Sequence, residues 1–152
     1  GVNNRGEGID FYLDSEDIPH IVHYDTSTPQ IRYVTCADAI GTCMSSATNF
    51  TSERVTLVTG VVTNSSRAGV RKNSNDTVYV SYYTTADNSV VISSKAAGAS
   101  TWTAKVVDQP DDSGGTYTPA GGQYADLELN ASGYPMMMYR SIENWLKFYS
   151  EE

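Results

Sequence analysis

Three stretches of this chain resemble one another, and this internal repeat constrains the fold more than any single residue does. The stretches span residues 6–24, 75–83 and 122–139. When Pro19 is aligned with Val78 and Pro135, successive copies lie 59 and 57 residues apart. This period falls within the upper range of what a four-stranded repeat unit occupies. The sequence therefore predicts about three copies of one β-sheet unit.

Alternation of apolar and polar residues with a period of two dominates the copies, as in Ile9, Phe11 and Leu13, and it predicts strands. Val, Ile, Thr and Tyr are abundant, while Asn, Asp, Ser, Gly and Pro gather between the alternating runs. We expect no helix. The predicted strands are 8–13, 18–25, 30–35, 54–60, 67–72, 77–84, 89–94, 103–107, 123–129, 134–140 and 145–150.

These strands predict an all-β protein with a single domain over residues 1–152. The repeat divides them into units of about 6–60, 67–107 and 121–150. The first two units contain four strands, and the third contains three. We therefore expect the last unit to be incomplete, and each unit to bury its faces against its neighbours.

Charge and hydropathy exclude two classes of partner. The chain has 10 Lys and Arg against 18 Asp and Glu, a formal net charge of −8, without a basic cluster. A phosphate backbone would be repelled by such a surface, so we expect no nucleic acid partner. The apolar runs are all much shorter than the roughly 18 residues that a membrane-spanning helix needs, so we expect no membrane span.

Cys36 and Cys43 flank a short polar loop, and a disulfide between them would stabilise a segment with little apolar content. Two free thiols are the alternative. A zinc site would need four ligands, and the two cysteines have neither a second pair nor a nearby histidine. We predict the disulfide.

Four asparagines begin Asn-X-Ser/Thr triplets, which makes them candidate glycosylation sites: Asn49, Asn64, Asn75 and Asn130. Such triplets also arise by chance in a chain rich in Asn, Ser and Thr. Together with the predicted disulfide they favour a secreted, extracellular or cell-surface glycoprotein.

Several segments together resemble secreted β-propeller repeats of the BNR/sialidase-like kind. Residues 17–25 are similar to that family's Gly-x-Pro-x-Ile-Ser-Tyr-Tyr-Asp strand, with Asp17 in place of the glycine. Residues 30–43 are similar to the following strand and its paired-cysteine loop, and 133–150 repeat the pattern. Residues 112–117 resemble the family's structural Asp-box turn, although Pro110 stands where that motif has serine.

The resemblance implies a β-propeller with about three four-stranded antiparallel blades, the last one incomplete. Three blades are too few to close the usual ring of six to eight. The resemblance therefore implies a partial propeller, or part of a longer or oligomeric one, so we expect a homo-oligomer or the remainder of a longer chain as the partner.

Sialidases of this architecture clamp a carboxylate with clustered arginines, because a planar bidentate donor is required. The arginines of this chain are scattered over the units, and we expect no enzyme activity. The leading hypothesis is an extracellular structural or adhesive module that self-associates, or that accepts a partner strand beside 145–150. The alternatives are a carbohydrate-binding, lectin-like module and a sialidase-like glycoside hydrolase fragment.

Candidates for ligand binding remain on the predicted loops and strand ends. Tyr117, Tyr134 and Arg140 are candidates for contact with a glycan, because aromatic faces stack on sugar rings. No cofactor is expected, apart from a candidate Ca²⁺ site formed by Asp108, Asp111 and Asp112, which supply hard oxygen ligands.

Two further groups of side chains are predicted to be structural. His20 and His23 lie three apart in one strand, so alternation places them on opposite faces and they should not share a metal ion. The run of methionines at 136–138 is expected to fill the core between sheets rather than to form a binding surface.

Overall fold

A computed structural model of the chain describes residues 5–25, 27–55, 68–84, 89–108, 125–140 and 145–152, with only the backbone at positions 5–7. The described part of the chain is all-β, as predicted. Its strands are β1 (Arg5–Leu13), β2 (Pro19–Asp25), β3 (Gln30–Cys36), β4 (Phe50–Arg54), β5 (Gly69–Lys72), β6 (Val78–Thr84), β7 (Ser89–Lys95), β8 (Thr103–Asp108), β9 (Asp126–Leu129), β10 (Pro135–Arg140) and β11 (Leu146–Ser150).

The strands form three antiparallel sheets of four, four and three strands. The first sheet has the order β1-β2-β3-β4, the second β5-β6-β7-β8, and the third β9-β10-β11. Within each sheet, strands that follow one another in the sequence are paired, and most of the connections are short, the loop 37–49 between β3 and β4 being longer. The grouping of strands matches the three units that the repeat predicts.

Two local predictions differ from the structure. The fourth strand was expected at 54–60, whereas β4 ends at Arg54 and pairs Phe50 with Cys36. Residues 56–60 lie outside the described part of the chain. The expectation of no helix is also wrong, because the loop between β3 and β4 contains a one-turn helix, α1 (Ile40–Cys43), and a 3-10 turn (Ala47–Asn49). Such short elements leave no periodic pattern in a sequence.

The turn between the first and second strand has the same hydrogen bonds in every sheet. An Asp or Asn side-chain oxygen accepts bonds from the backbone amides two and four residues later, at 2.9–3.0 Å. The three residues are Asp14, Asn73 and Asn130, each five positions before the aligned Pro19, Val78 and Pro135. The repeat seen in the sequence is therefore a repeat of turn chemistry as well.

The same turn requires a residue with positive φ three positions after the Asp or Asn. Asp17, Asp76 and Gly133 fill it, with φ of 58°, 59° and 80°. Glycine adopts this conformation without steric cost, and aspartate is among the few other residues that tolerate it. The substitution of Asp17 for the glycine of the resembled motif is therefore compatible with an unchanged turn.

The sheets pack face to face in chain order. Strand β1 contacts β5, and β5 contacts β9, so the first strands of the three sheets lie side by side. One apolar cluster fills the space between the first and second sheets, and another fills the space between the second and third. Among the described residues, the second sheet is thus covered on both faces, while the first and third sheets are each covered on one.

Candidate functional site

The uncovered face of the first sheet, which we call the leading face, exposes apolar side chains. Ile9, Phe11 and Leu13 alternate along β1 and are 59%, 48% and 36% exposed. Ile21 and Val34 continue this face across β2 and β3, because the register pairs Phe11 with Ile21 and Ile21 with Val34. A groove of about 570 Å³ crosses this face. The leading face thus carries a contiguous apolar patch of these five residues, while His23, Asp25, Arg32 and Ser52 also line the groove.

The uncovered face of the third sheet, which we call the trailing face, is also apolar. Met138, Leu146 and Phe148 are 47%, 74% and 63% exposed. Met138 pairs directly with Phe148, and Leu146 is two residues away on the same face of β11. Asp126 and Glu128 of β9 add carboxylates beside this surface.

The repeat shows that both faces consist of positions that are buried elsewhere in the molecule. On the leading face, the pair Phe11–Ile21 corresponds to Val70–Val80 in the second sheet and Leu127–Met137 in the third. These last four side chains are at most 1% exposed.

The trailing face shows the same relation. Its pair Met138–Phe148 corresponds to Val22–Tyr33 in the first sheet and Ser81–Ile92 in the second. Those four residues are at most 5% exposed. In each case the same register position is covered between sheets and open at the ends.

The edge of the third sheet also differs from the edges of the other two. Strand β11 is the counterpart of β3 and β7 and forms an edge of its sheet within the described residues, whereas the first two sheets continue with β4 and β8. An edge strand presents unpaired backbone groups that another strand can extend.

Charged side chains form hydrogen bonds and ion pairs that connect the first strands of all three sheets. Arg71 of β5 donates to Asp10 of β1 at 2.9 Å and to Glu128 of β9 at 3.2 and 2.7 Å. The hydrogen bonding that Arg71 donates to Glu128 is the main reason that the pKa of Arg71 is raised, and the same contact lowers the pKa of Glu128. Asp10 also accepts a bond from the Val70 amide at 3.0 Å.

Further ion pairs cross the two covered interfaces at their outer strands. Lys95 of β7 contacts Glu53 of β4 at 2.7 Å, and Lys147 of β11 contacts Asp108 of β8 at 2.9 Å. Each interface therefore has an apolar centre with charged contacts beside it, which resembles the anatomy of interfaces between separate proteins.

A buried polar cluster of Asp14, His20 and Tyr33 lies at the first covered interface. The His20 Nε2 atom is 3.2 Å from Asp14 Oδ2, and Nδ1 is 2.6 Å from the Tyr33 hydroxyl. Lys72 of the second sheet donates to Asp14 at 2.8 Å. A neutral His20 that donates from Nε2 and accepts at Nδ1 satisfies all of these contacts.

The pKa shifts in this cluster show what it can do chemically. Burial raises the pKa of Tyr33 to about 12 and lowers that of His20. Burial also disfavours ionised Asp14, but hydrogen bonds from Lys72, the Ile18 amide and His20 outweigh it and hold its pKa well below the usual range. A nucleophilic tyrosine would need the opposite shift, so we interpret the cluster as a structural network.

The two predicted cysteines meet as expected. Cys36 ends β3 and Cys43 ends α1, with their sulfur atoms at disulfide distance and their Cα atoms 6.1 Å apart. This pairing closes a loop of residues 37–42. Asn49 lies outside that loop, and its side chain donates to the Thr42 carbonyl within it at 3.1 Å.

The structure does not bring together the two predicted glycan contacts that it describes. Tyr134 is 43% exposed in the turn before β10, and Arg140 lies at the opposite end of that strand. Tyr117 lies outside the described residues. Glycan binding stays a prediction.

The predicted calcium ligands are only partly described. Asp108 accepts hydrogen bonds from the Tyr139 hydroxyl at 3.0 Å and from Lys147 at 2.9 Å. Asp111 and Asp112 lie outside the described residues. In the part of the chain that the structure covers, no three His, Cys, Asp or Glu side chains are grouped as metal ligands would be.

The remaining glycosylation candidates differ in their surroundings. Asn75 is exposed in the turn after β5, whereas Asn130 is half-buried and its side-chain oxygen accepts the turn's hydrogen bonds. Asn64 is not among the described residues. All four sites stay predictions.

The histidines and methionines are placed largely by alternation. His20 faces the second sheet and His23 faces the groove of the leading face, so they lie on opposite sides of β2 as predicted. Met137 fills the core as predicted, but Met138 is exposed on the trailing face.

The open faces themselves were missed by sequence reasoning. The signal that could have found them is the repeat combined with alternation, since Phe11 and Phe148 occupy positions whose counterparts are covered in neighbouring units.

Comparison of the sequence with protein-family models finds no match, and comparison with curated proteins finds no significant relative. Among the described residues, no helix has the length and apolar character needed to cross a bilayer.

Proposed function

We propose that this protein is a non-enzymatic extracellular structural or adhesive module that acts by self-association. The observation that carries the proposal is the pair of open sheet faces, whose positions are buried wherever another sheet covers them. A contiguous exposed apolar surface is costly in water and marks an interaction site. This chain has one at each end of its stack of sheets.

We propose further that the module is built like part of a β-propeller, as the sequence resemblance implies, and the architecture supports this. Three antiparallel sheets pack face to face with their first strands side by side, which is how blades are arranged around a central axis. In this view each sheet is a blade and the open faces are where further blades would pack.

The edge of β11 offers a second way to associate. The third sheet has three described strands where the other sheets have four, and a partner strand could complete it through backbone hydrogen bonds. The cysteine pair supports the extracellular assignment, because disulfides persist mainly in oxidising compartments.

Light scattering over a wide concentration range tests the proposal. We expect a particle mass that exceeds the 16.5 kDa of one chain and falls on dilution. The Met44→Asp variant serves as a control for adding a charge at an exposed apolar residue. Met44 is 73% exposed but lies next to α1 rather than on a sheet face, so this variant should associate as the unmodified chain does. A mass of one chain at every concentration would contradict self-association.

A further inference from the structure

We infer that the leading face of one copy binds the trailing face of a second copy, so that the proteins associate head to tail. This inference depends on the proposed self-association and specifies its partner and geometry. In this contact β11 takes part through the side chains of its trailing face, and its backbone edge is not used.

The covered interfaces show which faces fit together. Between the first and second sheets, Val70 and Val80 belong to the same apolar cluster as Val22 and Tyr33. The first pair holds leading-face positions of its sheet, and the second pair holds trailing-face positions. Both pairs are almost completely buried by this contact.

The second interface repeats this arrangement. Leu127 and Met137, at leading-face positions of the third sheet, pack in one cluster with Ile92, at a trailing-face position of the second. A leading face therefore meets a trailing face at both covered interfaces. The open leading face has as its natural partner a trailing face, and the same chain carries one that is open.

A polar contact predicts the register in which two copies would pack head to tail. At the first covered interface, Asp10 Oδ2 accepts a bond from the Val70 amide at 3.0 Å. Asp126 holds the position of Asp10 in the third sheet, and Phe11 holds the position of Val70 in the first. Head-to-tail packing would therefore place the Asp126 carboxylate of one copy against the Phe11 amide of the next.

Such a contact joins two different surfaces, so it is heterologous. A heterologous contact closes into a ring if the rotation between copies allows it, and otherwise grows into a filament. Stacking of copies in this way would continue the packing of sheets across the boundary between chains.

Two variants that each block one face test the inference. Phe11→Asp places a charge on the leading face, and Phe148→Asp places one on the trailing face. Both side chains are about half exposed or more, so the fold should survive. Each variant alone should be a monomer, because a head-to-tail contact needs both faces. An equimolar mixture should form a 1:1 dimer that does not grow, since one intact face of each kind remains.

Ile9→Asp and Leu146→Asp form a second pair in case either first variant fails to fold, as judged by circular dichroism. Met44→Asp should behave as the unmodified chain does. The readout is light scattering of each protein and of each mixture.

The outcomes separate this inference from the proposed function. If the unmodified chain associates but the mixed variants stay monomeric, head-to-tail binding is wrong and self-association stands. A Phe148→Asp variant that dimerises alone would show association through the leading face or through the β11 edge, and either result overturns the inference. An unmodified chain that is always monomeric overturns both.

Discussion

The covered interfaces and the open end faces of this protein use the same repeat positions, and they differ in whether another sheet lies against them. Leu127 is fully buried between the second and third sheets, whereas Phe11, at the same position of the first sheet, is half exposed. The residue type is apolar in both places. The two end faces therefore have the apolar composition of an interface, although nothing in the described structure packs against them. The following experiments test this difference between covered and open faces.

The largest expected difference is between Leu127→Ala and Phe11→Ala. Removal of the fully buried leucine leaves a cavity and should lower the free energy of unfolding by about 3 kcal/mol. Removal of the exposed phenylalanine should lower it by less than about 1 kcal/mol in the monomer. Urea unfolding at high dilution measures both, and equal losses would show that the leading face is covered within the chain.

A smaller effect is expected for Asp14→Asn at the first covered interface. The asparagine keeps the turn, because Asn73 and Asn130 form the same turn in the other sheets. It loses the carboxylate that faces Lys72 and His20, which should cost about 2 kcal/mol at neutral pH. Asn73→Asp is the reverse change at the equivalent turn of the second sheet.

The same carboxylate predicts a dependence on acid. The folded pKa of Asp14 is lowered, so its stabilisation is complete above the unfolded pKa of about 3.9 and is lost as the pH falls toward the folded value. The lowered pKa of His20 acts in the same direction below about pH 6.5. Urea unfolding across pH should therefore show a shallower acid loss for Asp14→Asn. Identical pH profiles would contradict the role given to the Asp14–Lys72 contact.

The smallest predicted effect uses two aspartates at one repeat position. Asp10 accepts bonds from the Val70 amide and from Arg71, whereas Asp126 lies on the open trailing face. Asp10→Asn should destabilise the monomer by about 1 kcal/mol, and Asp126→Asn should change it by less than about 0.5 kcal/mol. Thermal unfolding at low concentration compares them. A larger loss for Asp126→Asn would reverse the assignment of covered and open faces.

Much of the fold follows from local patterns in the sequence. Alternation locates most strands, and the alignment of Pro19, Val78 and Pro135 groups them into sheets. The turn can be recognised once Asp14, Asn73 and Asn130 are compared, because each is followed three residues later by Asp or Gly. These features depend on residues close together in the chain.

The candidate site depends on contacts between distant residues, which is why the sequence alone did not show it. Alternation places Ile9, Phe11 and Leu13 on one face, but it does not say whether that face is covered. Similarly, the three consecutive methionines differ only because Met137 points toward the second sheet and Met138 points away. The Asp14–Lys72 contact joins two repeat units, and no motif in either unit predicts it.

The most direct test of the account is the rate at which Met138 is oxidised by dilute peroxide, measured by peptide mass spectrometry at low and high protein concentration. Met138 lies on the trailing face, Met44 is an exposed internal control, and Met137 is the buried reference. The account predicts that Met138 becomes protected as concentration rises while Met44 does not. Concentration-independent oxidation of Met138, at concentrations where the particle mass has grown, would contradict it.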